Sequence, residues 1–178
     1  PFGVNVLWDP MSTIALAVST NAQFVREIFT GTYASDMGIW TPNAGEAMRY
    51  RNSLGRKDIQ MYYNISAEFA YSMDRRTISE RAESTVFSSI PDAVLVSGQI
   101  TGQSAKLEEI KEVSKIIPKT PVLANTGVNL NNVEEILRIT DGVIIGSSLK
   151  INGDTWKNVD FNRAKKFMTK VKSLRKNA

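Results

Sequence analysis

Two short runs of the sequence end in residues suited to binding an anion. Thr126 and Gly127 follow one run of small and β-branched apolar residues, and Gly146, Ser147 and Ser148 follow the next such run. A parallel strand that ends in glycine lets backbone N–H groups approach a ligand, and a helix that begins there favours negative charge. In (β/α)₈ barrels the loops after the last two strands commonly hold a phosphate. These residues therefore predict a site for a phosphorylated or similarly anionic small molecule.

Polar residues at other predicted strand ends are candidates for the same site. Asn5, Asn64 and Asn125 each carry an amide that either orients a substrate hydroxyl or satisfies neighbouring backbone groups. Glu68 follows one of these strands and is either a proton-transfer group or a solvated loop residue. Glu27 lies within another predicted strand, and it is either a second proton-transfer group or the partner of the preceding arginine in a structural ion pair.

The segment 30–43 is long for a connection between a strand and a helix, and such loops often act as lids or binding loops. It begins with Thr30, a candidate ligand contact, and it contains Asp36, a candidate acid, base or Mg²⁺ ligand. An aspartate beside Gly38 also suits a turn in which it serves only the backbone geometry. Both interpretations of Asp36 are open in the sequence.

The composition limits the reactions and metal ions that the chain can support. The chain has 178 residues, of which 42% are hydrophobic and 22% charged, and it contains neither histidine nor cysteine. Thiolate nucleophiles, disulfides and a Ser-His-Asp triad are therefore excluded, which leaves Asp, Glu, Lys or Tyr for proton transfer. Zn²⁺ would lack its usual ligands, whereas Mg²⁺ held by carboxylates and a substrate phosphate stays open, and no metal ligands are assigned. Because no lysine lies within a predicted strand, a Schiff-base aldolase is disfavoured.

Charge and hydropathy limit the partners. The absence of cysteine fits a cytoplasmic protein, and no apolar run approaches the roughly 20 residues of a membrane span. The net charge of +4 arises in segment 160–178, which holds seven basic residues and one acidic residue. This segment lacks the regular alternation of basic and aromatic residues found in stacking platforms, so we interpret it as a solvated helix face and not as a nucleic-acid site.

The elements that must position these residues follow from hydrophobic patterning. Six runs rich in Val, Ile, Phe or Tyr predict buried parallel strands at 2–7, 24–29, 59–66, 93–97, 122–125 and 143–147. Thr77 and Glu80 form a predicted capping box, and Asn129 and Asp160 are predicted N-caps of later helices. The alternation of strands and helices predicts an α/β fold with right-handed crossovers, in one domain over residues 1–178. Asn5, Asn64 and Asn125 are predicted to face away from the helices, where a barrel places its chemistry.

Four stretches of the sequence, in order, resemble the BtpA/SgcQ family. They are the first strand around Asn5, the stretch from Phe29 to Gly38, the stretch from Asn125 to Val128, and the stretch from Asp141 through Gly146 to Lys150. The pattern Phe-Thr-Gly-x-Tyr-x-x-Asp-x-Gly is the most specific of them, since many phosphate-binding barrels share the glycine turns. The resemblance covers nearly the whole chain.

The resemblance implies a (β/α)₈ TIM barrel of about 250 residues. The chain would supply about six βα units of it, corresponding to strands 3–8. Our hypothesis is that the sequence is N-terminally incomplete, because six of eight strands would leave two open edges and an exposed apolar interior.

The family also implies two functions. One branch is associated with stabilising photosystem I in cyanobacteria, and the other sits among bacterial sugar-uptake and metabolism genes. Segment 64–69 lacks the His and Lys of the photosystem branch, which favours the second branch. We therefore expect carboxylate acid–base chemistry on a sugar phosphate or nucleotide-like metabolite, as in an isomerase, epimerase or lyase. The alternative is a non-catalytic assembly or stability factor, and a homo-oligomer is left open.

Overall fold

The computed structural model describes residues 1–176, with the side chain of the last of these excepted. In chain order the elements are β1 (Gly3–Val4), α1 (Pro10–Thr20), β2 (Phe24–Glu27), β3 (Tyr33–Ser35), β4 (Gly38–Trp40), α2 (Ala44–Ser53), β5 (Gln60–Asn64), β6 (Ala70–Ser72), α3 (Ile78–Ser89), β7 (Ala93–Ser97), α4 (Leu107–Ile116), β8 (Val122–Asn125), α5 (Val133–Leu137), β9 (Gly142–Ile144) and α6 (Phe161–Lys176). Two 3₁₀ turns, Ser147–Leu149 and Ile151–Gly153, follow β9. The last two residues of the basic segment predicted at 160–178 lie outside the described residues.

Six strands form one parallel sheet in the order β1-β2-β5-β7-β8-β9. Each neighbouring pair is parallel, so the carboxyl ends of all six strands lie at one edge of the sheet. All six predicted strands are confirmed, although four of them are shorter than the apolar runs that predicted them. β1 and β9 are the outermost strands of the sheet. The architecture is an α/β fold with a curled parallel sheet.

The core lies between this sheet and its helices, as strand alternation predicts. Met61 and Tyr63 of β5 are fully buried in a cluster with Ile14 of α1 and Ala47 of α2. A second cluster joins β7 and β8 to α3, α4, α5 and α6. The alternate residues of the strands, including Asn64, point to the other side of the sheet, which leaves polar groups near the strand ends.

The N-termini of the helices show how well local sequence signals predict an N-cap. Thr77 and Glu80 form the predicted capping box of α3, and the Asp160 carboxylate accepts from the N–H groups of Asn162 and Arg163 at the start of α6. The prediction for Asn129 is wrong, because Asn132 is the N-cap of α5 and no side-chain bond caps that helix. The Asn129 side chain instead accepts from the Asn131 N–H group and donates to the Gly127 carbonyl, within the loop.

The long segment 30–43 contains regular secondary structure. It forms a hairpin, β3 and β4, and β6 pairs with β3 to complete a three-stranded antiparallel sheet in the order β4-β3-β6. One face of this sheet packs on the protein, where Tyr33 is 2% exposed. Trp40 of β4 stacks on Trp8, which follows β1, with ring centroids 5.8 Å apart. Among residues 1–176, no helix is long and apolar enough to cross a membrane.

Candidate functional site

A cleft of about 400 Å³ lies at the carboxyl edge of the parallel sheet. Residues after β8 and residues after β9 line it together, as the two glycine turns predict. The lining comprises residues from β2, from the connections after β5 and β7, from both strand exits and from α6: Arg26, Glu68, Thr101, Gly102, Asn125–Asn129, Ile144–Ser148, Gly153 and Arg163. The geometry thus brings Asn125, Thr126, Gly127, Gly146, Ser147 and Ser148 into one site.

The turn after β9 is open to this cleft. A Cβ added to Gly146 would meet no described atom within 4 Å. The N–H groups of Gly146, Ser147 and Ser148 donate to no acceptor within residues 1–176, because they begin a 3₁₀ turn whose first internal bond is donated by Leu149. Such unpaired N–H groups at the start of a helical turn suit an anion.

Arg163 adds a positive charge to this turn. Its Nε donates to the Ser148 carbonyl at 2.9 Å, and the residue lines the cleft. Sequence reasoning missed this contact, since it assigned the basic residues of α6 to a solvated face. The only signal was position: Arg163 lies in the first turn of α6, next to the Asp160 cap and close in sequence to the glycine turn.

The turn after β8 is enclosed by protein. The Thr126 hydroxyl donates to the Gln103 carbonyl and accepts from the Gly98 N–H, both at 2.7 Å. Gly127 has a φ of +61°, and a Cβ added there would lie 2.1 Å from the backbone nitrogen of Ser104. The glycine is therefore required by the close approach of the loop that follows β7.

Glu68 lies at the centre of the site. Its Oε1 accepts from Arg26 and from the Asn125 side chain, each at 3.4 Å, and its Oε2 accepts from the Thr101 hydroxyl at 3.0 Å. Its side chain is 16% exposed. Arg26, Glu68 and Thr101 also line a smaller cavity of about 190 Å³, which we call the inner chamber. The cleft and the inner chamber therefore meet at this carboxylate.

The asparagines that end β5 and β8, on either side of β7, differ in their hydrogen bonds. Asn125 is buried and donates to the Ser97 hydroxyl at 2.6 Å as well as to Glu68. Asn64 is also buried and lines the inner chamber, and its carbonyl oxygen accepts from the Ser66 N–H at 3.2 Å. Both amides face the side of the sheet away from the helices, where Glu27 and Glu68 also lie.

Glu27 lies on the wall of the inner chamber, where it is 3% exposed. Burial raises its pKa from 4.5 to about 6, against the opposing effect of hydrogen bonds from the Ile28 N–H and from Asn5. The interpretation of Glu27 as the ion-pair partner of Arg26 is wrong: the arginine pairs with Glu68, and Glu27 instead accepts from the Asn5 amide. A carboxyl group with a pKa near neutrality can both take up and release a proton.

Two predicted site residues lie elsewhere. Asp36 is exposed at the tip of the β3–β4 hairpin and lines neither the cleft nor the inner chamber. The Thr30 hydroxyl lies 3.4 Å from that of Thr85 in α3, so it faces a helix. In the part of the chain that the structure describes, no three Asp, Glu, His or Cys side chains converge on a site for a metal ion.

Solved structures with this architecture are TIM-barrel-like. Phosphoribosyl anthranilate isomerase from Thermus thermophilus superposes with a TM-score of 0.60 at 13% identity, over 93% of this chain and 68% of that one. The native KDPGal structure superposes with a TM-score of 0.59 at 14% identity, over 96% of this chain and 68% of that one. At these identities the likeness concerns the fold alone.

The sequence relatives are nearer. The model of the BtpA family matches residues 1–173. The sgc region protein SgcQ of Escherichia coli K12 is 46% identical over 99% of this chain and 66% of its own length. The photosystem I biogenesis protein BtpA of Synechocystis is 29% identical over 94% of this chain and 59% of its own length. The chain thus spans a little under two thirds of the length of these two relatives.

Proposed function

Because the chain belongs to the BtpA family, we propose that it binds a phosphorylated small molecule in the cleft and performs carboxylate acid–base chemistry on it. The ligand is a sugar phosphate or a nucleotide-like metabolite, and the reaction is an isomerisation, an epimerisation or an aldol-type cleavage. The higher identity to SgcQ than to the photosystem protein does not favour the assembly-factor alternative. A cytoplasmic location belongs to the same proposal.

The phosphate would bind at the turn after β9. Gly146, Ser147 and Ser148 line the cleft, and their three consecutive N–H groups have no acceptor among the described residues. Arg163 contributes a guanidinium group, which pairs well with phosphate oxygens because its N–H donors are planar and permanently charged. This combination of unpaired amides and a fixed cation supports an anion at this position.

Proton transfer would occur at the other end of the cleft. Glu68 is oriented by Arg26, Asn125 and Thr101, and it lies where the cleft meets the inner chamber. Glu27, with a pKa of about 6, is the second proton-transfer candidate. Arg26 lines both the cleft and the inner chamber, so its guanidinium group would stabilise negative charge that develops on a substrate oxygen.

One observation supports the proposal above all others: the open glycine turn and the Glu68 carboxylate line the same 400 Å³ cleft. A cavity of that size falls in the range of small-molecule sites. A phosphate held at one end would place the carbon chain of a small metabolite along Asn125 toward Glu68.

Thermal unfolding with and without a phosphorylated compound tests this proposal. At a concentration a hundredfold above its Kd, a ligand stabilises the native state by about 2.7 kcal/mol, which raises Tm by about 5–10 °C in a chain of this size. We expect such a shift with inorganic phosphate or with a sugar phosphate such as fructose 6-phosphate. Gly146→Asp should abolish it, because the added carboxylate occupies the cleft and repels the anion.

Gly146→Ala is the matched control, since it adds a Cβ in the same open space without a charge. It should retain most of the shift. The proposal is wrong if phosphate and a panel of sugar phosphates and nucleotides leave Tm unchanged, or if Gly146→Asp responds like the wild-type protein.

A further inference from the structure

The outward face of the three-stranded antiparallel sheet is apolar and exposed. In β3, Ala34 pairs with Ile39 of β4 on one side and with Tyr71 of β6 on the other, so the three side chains form one row across the sheet. Ile39 is 68% exposed and Tyr71 is 79% exposed. Met37 and Met73 lie two positions along the chain from Ile39 and Tyr71, so strand alternation places their side chains on the same face. Both are exposed. We call these five residues the apolar face.

The apolar face is large for a surface that remains in water. With an aromatic side chain and three long apolar ones, it presents roughly 500 Å² per copy, at the upper end of what single-chain proteins expose. No charged residue belongs to it. Two such faces in contact would bury roughly 1,000 Å², which is the lower bound for a specific interface between proteins.

The position of this sheet separates it from the cleft and the inner chamber, although Tyr71 and Met73 also border a groove of about 940 Å³ beside α3 and α4. Its strands follow β2 and β5, two inner strands of the parallel sheet, and not the outermost strands β1 and β9. None of the five residues lines the cleft or the inner chamber. A partner could therefore cover the apolar face and leave the proposed ligand site open.

Charges at the two ends of the face favour a particular partner. Asp36 lies at the hairpin tip, and Arg75 lies beyond Met73 at the opposite end, because β6 runs antiparallel to β3. Both residues are exposed, and neither takes part in a salt bridge within residues 1–176. A two-fold axis in the plane of the face and perpendicular to the strands reverses the strand direction. It therefore brings Asp36 of one copy to the end of the face where Arg75 of the other lies, about one strand spacing to the side, twice.

From this self-complementarity we propose that a second copy of the chain docks on the apolar face and forms a two-fold symmetric dimer. Apolar contact at the centre and paired opposite charges at both ends are the features of an isologous interface. The proposal does not depend on the function proposed above, and it gives Asp36 a role at an interface.

Sedimentation equilibrium and light scattering on the full chain test the dimer. At a concentration of about 100 µM, which suits an interface at the small end of the range, we expect twice the monomer mass of 19.8 kDa. Tyr71→Asp should weaken the dimer at least a hundredfold, because it places a charge at the centre of the contact. Phe87→Asp is the matched control: Phe87 is 89% exposed on α3, away from this sheet, and should leave the dimer intact.

A charge exchange tests the arrangement itself. Asp36→Arg and Arg75→Asp should each weaken the dimer about fivefold to tenfold by placing like charges together, and the double variant should restore it. Circular dichroism shows whether each variant is folded. The proposal is overturned by a monomeric wild-type protein, by a dimer that Tyr71→Asp leaves intact but Phe2→Asp at β1 disrupts, or by a double variant no better than the single ones.

Discussion

The turns after β8 and β9 have similar sequences but opposite physical roles. Each turn follows a parallel strand and combines glycine with hydroxyl residues. At Gly127 the backbone of Ser104 leaves no space for a side chain, and the neighbouring threonine hydroxyl is satisfied as donor and acceptor. At Gly146 the space is open, and three N–H groups have no described acceptor.

This difference shows what a glycine at a strand exit does and does not indicate. The first glycine fixes the path of the loop after β7, which carries Thr101 to Glu68. The second leaves the backbone accessible to a ligand. Only the contacts of the missing side chain and the partners of the N–H groups separate these cases, because the residue types are the same.

The largest effect is expected from a substitution that disrupts the turn after β8. Gly127→Ala places a methyl group 2.1 Å from a backbone nitrogen at a φ of +61°. The loop must shift, so the free energy of unfolding should fall by about 4 kcal/mol in urea titrations. Gly146→Ala, the equivalent change in the open turn, should cost less than about 1 kcal/mol. Equal losses at the two sites would remove the distinction between the turns.

Glu27 and Glu68 differ as the two turns do, since Glu27 is enclosed whereas Glu68 lines the accessible cleft. The pH dependence of the free energy of unfolding tests the enclosure of Glu27. Its pKa in the folded protein, about 6, lies above the ordinary value of 4.5. The protonated form therefore stabilises the fold fully below pH 4.5, and this contribution is lost as the pH rises through 6. Relative to Glu27→Gln, which does not titrate, the free energy of unfolding of the wild-type protein should fall by about 2 kcal/mol in total from well below pH 4.5 to well above pH 6. Parallel pH profiles of the two proteins would contradict the assignment.

The smallest effect is expected from a substitution beside the open turn, and it tests the contribution of Arg163 to anion binding. Arg163→Met should weaken binding of inorganic phosphate about tenfold in calorimetric titrations, since it removes a charged donor from the site. Lys172→Met removes the same charge from an exposed position later in α6 and should change binding less than twofold. If both variants lost affinity equally, the effect would come from the net charge of the helix and not from the position of the arginine.

The parallel sheet could be predicted from the sequence because its signals are local. Each strand is a short apolar run, and the spacing between runs admits only a crossover connection. The capping box at Thr77 and the cap at Asp160 are equally local. The convergence of the two strand exits on one cleft followed from the topology, since parallel strands end at the same edge.

The antiparallel sheet could not be predicted in this way. Its strands are three residues long, too short for a periodic pattern, and Ser35 pairs with Ala70 across a long stretch of chain. The pairing of Arg26 with Glu68 is similarly distant in sequence. Local reasoning instead assigned the arginine to its neighbour Glu27. Asp36 was a candidate for catalysis because the chain around it gave no sign of the hairpin that carries it away from the cleft.

The arrangement of the three tryptophans gives the molecule its own optical reporters. Trp8 and Trp40 are stacked and half-buried where the hairpin docks on the parallel sheet, whereas Trp156 is 94% exposed in the segment after the open turn. Their emission should therefore fall into two spectral components, a blue-shifted one from the shielded pair and a red-shifted one from the solvated indole. Quenching by iodide would act selectively on the second. Loosening of the hairpin and events near the open turn can thus be followed separately in one sample, without an attached dye.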